Sequence, residues 1–178
     1  MSRAFVFPGQ GAQTIGMGKA LAEAYPAAKA VFDEVDEALG EKLSQLIWEG
    51  EQDTLTLTQN AQPALMATSL AAMRALEAEG VSIDAAAFVA GRSLGEYSAL
   101  AAAGAMSIAD TARLLRTRGV AMQEAVPVGQ GAMAALLGLD ALFRLVPWAY
   151  LVLKIAGALY LLRVAWGLWR DARAPVSD

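Results

Sequence analysis

The segment Gly91-Arg92-Ser93-Leu94-Gly95 places the tightest constraint on how this chain folds. It follows the apolar run 85–90 and precedes residues 97–103, which read as a helix ended by Gly104. A G-x-S-x-G sequence at a strand-to-helix junction is typical of a nucleophile elbow, because its glycines remove side chains that would crowd a sharp turn. In a chain rich in alanine, glycine and serine the same pattern also arises by chance, so Ser93 is a candidate nucleophile that needs further support.

Two residue types are missing from the sequence and limit its chemistry. The 178 residues include no cysteine and no histidine. This length suffices for a domain with a hydrophobic core, so neither a disulfide nor a structural metal is needed to explain folding. A cysteine nucleophile, a Cys/His zinc site and a histidine general base are excluded within this sequence. Ser93 is therefore a candidate nucleophile without an evident base.

Charge divides the chain into two segments. Residues 1–140 hold 9 basic and 16 acidic side chains, whereas residues 141–178 hold 5 and 2. A switch from acidic to basic predicts segments with different surroundings. Nucleic-acid binding is not expected, because the first segment is acidic and the basic residues of the second are scattered among aliphatic ones.

Short apolar runs alternate with helical periodicity along most of the chain. Residues 4–7 and 132–139 predict buried strands, and residues 17–49 predict helices interrupted at Pro26 and Gly40. This alternation is typical of a mainly parallel sheet with helices against it. We therefore expect an α/β fold with an incomplete parallel sheet, flanking helices and a serine nucleophile elbow, followed by a hydrophobic C-terminal helix.

Polar segments complete the pattern. Residues 54–58 alternate polar and apolar side chains and predict a short extended piece, and residues 59–79 predict a helix with Pro63 at an early position. Ser107-Ile108-Ala109-Asp110 resembles a capping box and predicts a helix that runs to about Ala125. A solvated acidic face, rather than a metal site, is predicted for four carboxylates: Asp33, Glu34, Asp36 and Glu37.

Several polar groups have both a binding and a structural interpretation. The glycines of loop 8–13 either let backbone N–H groups approach a ligand or form a plain strand-to-helix turn. Gln62 either lines a pocket or belongs to a polar helix entry. Arg113, Arg116 and Arg118 form a solvated face, unless Arg118 presents its planar fork to a carboxylate.

Four sequence blocks, taken together and in this order, resemble the bacterial malonyl-CoA:acyl carrier protein transacylase family. They are 7–13 (FPGQGAQ), 58–64 (TQNAQPA), 91–96 (GRSLGE) and 118–123 (RGVAMQ). The resemblance covers residues 1 to about 140. It implies an acyltransferase of fatty acid biosynthesis that takes malonyl-CoA as a substrate, delivers the malonyl group to acyl carrier protein and needs no cofactor or metal.

The resemblance also assigns roles to individual residues. Ser93 matches the nucleophile that accepts the malonyl group, and the backbone N–H groups of Gln10 and Leu94 match the oxyanion donors. Arg118 matches the arginine that pairs with the free carboxylate of malonate, which selects malonyl over uncharged acetyl groups. Gln62 matches a residue of the substrate pocket.

Three departures from the family predict an impaired chain. Arg92 stands where the family has a histidine before the nucleophile. The family's catalytic histidine comes from its later half, and this sequence has none, so a loss of about 10² to 10⁴ in rate is expected from the missing general base. The family-like sequence also stops near Asp140, which predicts a sheet with open edges.

Residues 145–169 form a hydrophobic tail. These 25 residues would span a bilayer, but Lys154 and Arg163 interrupt them. Each internal charge costs roughly 2.5 to 3.5 kcal/mol near a bilayer centre, so a buried hydrophobic helix remains the alternative. The stretch looks like part of a lysine-exporter type of amino-acid efflux protein, which suggests a fused reading frame with a domain boundary near residue 140.

Two other functions remain open beside acyl transfer. The chain could be a membrane-associated fragment of an amino-acid exporter, or a non-catalytic remnant that binds coenzyme A or carrier protein. Residues 1–3 lead directly into a strand candidate, so no secretory signal is expected. The predicted location is the cytoplasm, with membrane association through residues 145–169.

Overall fold

A computed structural model describes residues 3–125 of the chain. In this range lie, in order, β1 (Arg3–Phe7), α1 (Lys19–Ala24), α2 (Pro26–Leu39), α3 (Leu43–Glu49), α4 (Gln52–Thr56), α5 (Thr58–Ala78), β2 (Ala86–Gly91), α6 (Leu94–Ala102) and α7 (Ile108–Ala125). The predicted strand at 132–139, the hydrophobic tail at 145–169 and the boundary near residue 140 all lie outside the described residues.

The two strands form a small parallel sheet. Ala4 pairs with Phe88 and Phe7 pairs with Gly91, and the register shifts between Arg3 and Ala4. The connection from β1 to β2 contains five α-helices. Parallel strands need a long crossover connection of this kind, because a tight turn joins only antiparallel strands. The expectation of an α/β fold with parallel strands and flanking helices is thus confirmed for the described part of the chain.

Within residues 3–125 the sheet is covered on one face, and the prediction of a buried strand at residues 4–7 is wrong there for half of its side chains. Side chains alternate between the faces of a strand. Phe7 is 4% exposed and packs in the hydrophobic core, with Phe5 and Val89 against it. On the opposite face Val6 is 76% exposed and Phe88 is 72% exposed. Sequence pattern alone does not separate a strand covered on both faces from one covered on a single face.

The core is built around the long helix α5, with α6 packed between this helix and the sheet. This helix packs against α2 and α7, and α6 packs against both strands. Phe32 of α2 is 1% exposed and meets Trp48 of α3 edge to face, with ring centroids 5.1 Å apart. Burial of a side chain of this size contributes about 1.5–3 kcal/mol, so this contact stabilises the packing of α3 on α2.

The helix boundaries agree with those predicted from proline and glycine, except in one segment. Pro26 is the first residue of α2, and Gly40 ends this helix with a φ of 66°. Residues 54–58 are not extended: α4 ends at Thr56 and α5 begins at Thr58. Leu55 is fully buried and its N–H donates to the carbonyl of Glu51 at 3.0 Å. Five alternating residues fit a helical turn as well as a strand, and the burial of Leu55 decides between them.

Asp36 departs from the predicted solvated face. It is 4% exposed, although it lies on α2 among exposed carboxylates. Its Oδ1 accepts the backbone N–H of Ser44 at 2.9 Å, and its Oδ2 accepts the Ser44 hydroxyl at 2.6 Å. Ser44 is the second residue of α3, and Lys42 at the start of that helix provides no side-chain cap. Asp36 therefore caps α3 from a neighbouring helix.

We expect Asp36→Ala to lower the free energy of unfolding by about 2–3 kcal/mol, because two hydrogen bonds to a charged group are lost and a helix-end N–H is left unpaired. Urea unfolding followed by circular dichroism measures the change. Asp33→Ala is the matched control, since Asp33 is exposed and pairs with Lys29 at i,i+4, an arrangement worth about 0.5 kcal/mol. Equal effects of the two substitutions would contradict the capping role.

Candidate active site

Ser93 lies in the turn between β2 and α6 with a strained backbone. Its φ is 57° and its ψ is −114°, and among residues 3–125 it is the only non-glycine residue with a positive φ. Such a conformation costs about 1–3 kcal/mol and persists only where the surrounding structure enforces it. The side chain of Ser93 is exposed, whereas the following residue, Leu94, is buried.

Close backbone packing requires glycine at two positions of this turn, Gly91 and Gly95. A Cβ atom added at Gly91 would collide with the backbone of Gly95. A Cβ atom added at Gly95 would collide with the carbonyl oxygen of Phe7 and lie 2.8 Å from that of Pro8. The turn is thus pressed against the end of β1, and its exposed residues are Arg92 and Ser93.

Arg118 connects α7 to this turn. Its Nη2 donates to Ser93 Oγ at 2.9 Å, and its Nη1 donates to Gln62 Oε1 at 2.5 Å. The guanidinium also lies 5.8 Å from the centroid of the Tyr97 ring. Three residues far apart in sequence, Ser93, Arg118 and Gln62, are therefore brought together, and a cation stands beside the exposed hydroxyl.

Gln62 is fully buried in α5 and both ends of its amide have partners. The oxygen accepts from Arg118, and Nε2 lies 3.4 Å from Met122 Sδ. Buried amides are usually hydrogen-bonded in this way, because an unpaired buried polar group is costly. The structure thus places Gln62 inside the protein, against the guanidinium of Arg118.

Gln10 lies in the loop that follows β1. Its side chain donates to Thr58 Oγ1 at 3.3 Å, which joins the loop to the start of α5. A Cβ atom added at Gly9 would lie 3.1 Å from the carbonyl oxygen of Arg92, so this loop also touches the turn that carries Ser93. Leu94 is the first residue of α6, where helix N–H groups have no intrahelical partner.

The three arginines of α7 lie in different surroundings, which the sequence pattern did not reveal. Arg113 is exposed, as a solvated face predicts; it pairs with Asp110 at 3.1 Å, and its Nε donates to the carbonyl of Ala38 in α2 at 3.2 Å. The side chain of Arg116 is only 20% exposed, and its Nη1 donates to the backbone carbonyl of Gln59 at 2.7 Å. Burial lowers the pKa of Arg116 below its ordinary value. Arg92 is exposed beside Ser93.

Residues 3–125 contain neither a group of metal ligands nor a helix suited to cross a bilayer. No three His, Cys, Asp or Glu side chains converge there in a way that would hold a metal ion. Over the same residues, none of the helices combines the length and the apolar composition that a bilayer crossing needs.

The chain is similar to acyltransferases in sequence and in structure. A family model described as acyl transferase domain matches residues 4–149. The malonyl CoA-acyl carrier protein transacylase of Bacillus subtilis (strain 168) is 59% identical over 138 residues, which cover 78% of this chain and 43% of that protein. Its counterpart in Escherichia coli (strain K12) is 50% identical over 137 residues, covering 77% and 44%.

Solved structures give the same result. The acyl-carrier-protein-S-malonyltransferase of Bartonella henselae superposes with a TM-score of 0.70 at 63% identity, over 72% of this chain and 41% of that one. A chain of the structure described as a type II PKS acyl-carrier protein in complex with its malonyl-transacylase superposes with a TM-score of 0.67 at 42% identity. The match covers 71% of this chain and 40% of that one. The chain spans less than half the length of these relatives. The exporter resemblance of residues 145–169 is not shown by these comparisons.

Proposed function

The chain belongs to the acyl transferase domain family, and on that premise we propose that it carries the acyl-accepting part of a malonyl-CoA:acyl carrier protein transacylase site. Ser93 takes the malonyl group from coenzyme A in the turn that acts as a nucleophile elbow, and passes it to the phosphopantetheine thiol of an acyl carrier protein. The observation that carries the proposal is the contact of Arg118 Nη2 with Ser93 Oγ at 2.9 Å. The site of action is the cytoplasm, as the family resemblance implies.

The position of Arg118 suits a short acyl group that ends in a carboxylate. In a malonyl thioester one methylene separates the carboxylate from the thioester carbonyl carbon. A carboxylate held by the fork of Arg118 would therefore bring the carbonyl carbon close to Ser93, whose hydroxyl touches the same guanidinium. Acetyl groups lack this anchor, so we assign the preference for malonyl groups to Arg118, with Gln62 holding its other nitrogen.

The oxyanion of the tetrahedral intermediate needs donors beside Ser93. We assign this role to the backbone N–H groups of Leu94 and Gln10. The N–H of Leu94 is at the amino end of α6, where the helix dipole also favours negative charge. Gln10 belongs to the loop that contacts the turn through Gly9.

Proton transfer is the step for which the 178 residues supply no evident group. Ser93 Oγ bonds to the thioester carbon, the C–S bond breaks and coenzyme A leaves as a thiolate, which is protonated in water. The hydroxyl proton of Ser93 passes to water, because the sequence contains no histidine to accept it. Acylation is therefore expected to be about 10² to 10⁴ slower than with a general base, and transfer to a second thiol is slowed in the same way. A malonyl-serine adduct should accumulate.

The test is incubation of the full chain with malonyl-CoA, followed by intact-mass measurement and peptide mapping. We expect a single malonyl adduct on Ser93, absent in Ser93→Ala and present in Ser98→Ala, whose serine is buried in α6, the helix that follows the turn. Added holo acyl carrier protein should remove the adduct slowly. An adduct on another residue would overturn the assignment, and binding of malonyl-CoA without acylation would indicate a non-catalytic remnant.

A further inference from the structure

A second set of contacts holds α7 against the first turns of α5. Three residues of α7, spaced three and four apart and hence on one face, make these contacts: Arg116, Gly119 and Gln123. A Cβ atom added at Gly119 would lie 2.6 Å from Gln59 Cα, so the two helices touch backbone to backbone. Gln123 Oε1 accepts the N–H of Thr58, the first residue of α5, at 3.1 Å.

Arg116 supplies a hydrogen-bond donor that Pro63 cannot provide within α5. Proline has no N–H, so the carbonyl of Gln59, four residues earlier, lacks its usual helical donor. Nη1 of Arg116 donates to this carbonyl at 2.7 Å and to Asn60 Oδ1 at 2.5 Å. Its Nη2 is bonded to the carboxylate of Glu41. A mostly buried cation thus binds the start of α5 through two acceptors, which fixes its orientation more firmly than one bond would.

The neighbouring face of α7 carries the candidate site. Arg118 donates to Gln62 at 2.5 Å, and Met122, one turn further along, contacts the other end of the same amide at 3.4 Å. A rotation or slide of α7 on α5 would therefore change the Arg118–Gln62 contact and the Arg118–Ser93 contact together.

We propose that Arg116 is a positioning residue: by binding the Gln59 carbonyl and the Asn60 side chain it fixes α7 on α5, and thereby holds the guanidinium of Arg118 between Gln62 and Ser93. Arg116 does not contact the acyl group. The inference rests on the proposed function of Arg118, and goes beyond it in naming what sets its geometry.

The experiment compares Ser93 acylation by malonyl-CoA and acetyl-CoA in full-length variants, using intact-mass time courses. Arg116→Met keeps the unbranched stem and removes the donors. We expect its ratio of malonyl to acetyl rates to fall about tenfold or more, since small misplacements of a binding group cost one to two orders of magnitude. Arg116→Lys, which keeps the charge and reaches one acceptor at a time, should recover part of the ratio. Arg113→Met, an exposed arginine on the same helix, should leave it unchanged.

Two further measurements make each outcome decisive. Thermal unfolding identifies variants that do not fold. If Arg116→Met does not fold, the test rests on Arg116→Lys, and a ratio of malonyl to acetyl rates equal to that of the parent chain overturns the proposal. The side-chain amide resonances of Gln62, assigned with Gln62→Glu, should shift in Arg116→Met and stay in place in Arg113→Met. If the parent chain forms no adduct on Ser93, the proposed function fails and these resonances alone decide the positioning role: unshifted resonances in Arg116→Met reject it. An equal loss of both acylation rates also rejects it.

Discussion

Replacing Arg118 with methionine is expected to slow malonyl transfer to Ser93 by about 10- to 10²-fold, because hydrogen bonds to a charged group contribute about 1.5–3 kcal/mol and each 1.4 kcal/mol is a factor of ten. Transfer from acetyl-CoA should stay within about threefold, because an acetyl group offers no carboxylate to the guanidinium. Intact-mass time courses with each thioester, at the same concentration of chain, give the two rates.

Arg118→Lys separates charge from geometry. Lysine keeps the cation but lacks the planar fork that spans Gln62 and Ser93, so the malonyl rate should lie between that of the parent and that of Arg118→Met. A loss that is the same for malonyl and acetyl groups would contradict the carboxylate-binding role and assign Arg118 to the orientation of Ser93. Unfolding midpoints equal to that of the parent would show that the variants fold.

Much of the fold was predictable because its signals are local. Pro26 and Gly40 mark helix ends through backbone chemistry, and the apolar run before Gly91 has the composition of a strand. The errors concern burial, which depends on distant segments. Asp36 is buried because it caps α3, and Val6 is exposed because one face of the sheet is open in residues 3–125. Neither fact can be read from the residue's own neighbours in the sequence.

The candidate site was also predictable in part: its residues could be named from the sequence, but the contacts among them could not. Ser93 stood out through the two glycines around it, and Arg118 and Gln62 were selected by family resemblance. We infer that the contacts among the three depend on how α7 lies on α5. Gly119, which has no side chain, and the mostly buried cation of Arg116 set that arrangement. A single sequence shows Arg116 only as one of three nearby arginines. The clue it does contain is Pro63, which leaves a helix carbonyl in need of a donor.

Gly95→Ala should be strongly destabilising, with a loss of more than about 4 kcal/mol in the free energy of unfolding or no folded protein. Two effects oppose each other. Alanine favours a helix by about 1 kcal/mol over glycine, and Gly95 is the second residue of α6 with an ordinary negative φ. Against this, the new Cβ would collide with the carbonyl oxygen of Phe7, which is backbone at the end of β1 and cannot rotate away. The collision therefore outweighs the helix propensity.

Gly104→Ala is the control that separates the effect of a steric collision from the effect of backbone strain. Gly104 has a φ of 74° and no atom within 4 Å of an added Cβ, so alanine there meets backbone strain without a collision. Its cost should be about 1–2 kcal/mol, the usual penalty for a left-handed residue other than glycine. Urea unfolding of both variants measures the difference. If Gly95→Ala were as stable as Gly104→Ala, the turn would not be pressed against β1, and the strained conformation of Ser93 would need another cause than this backbone contact.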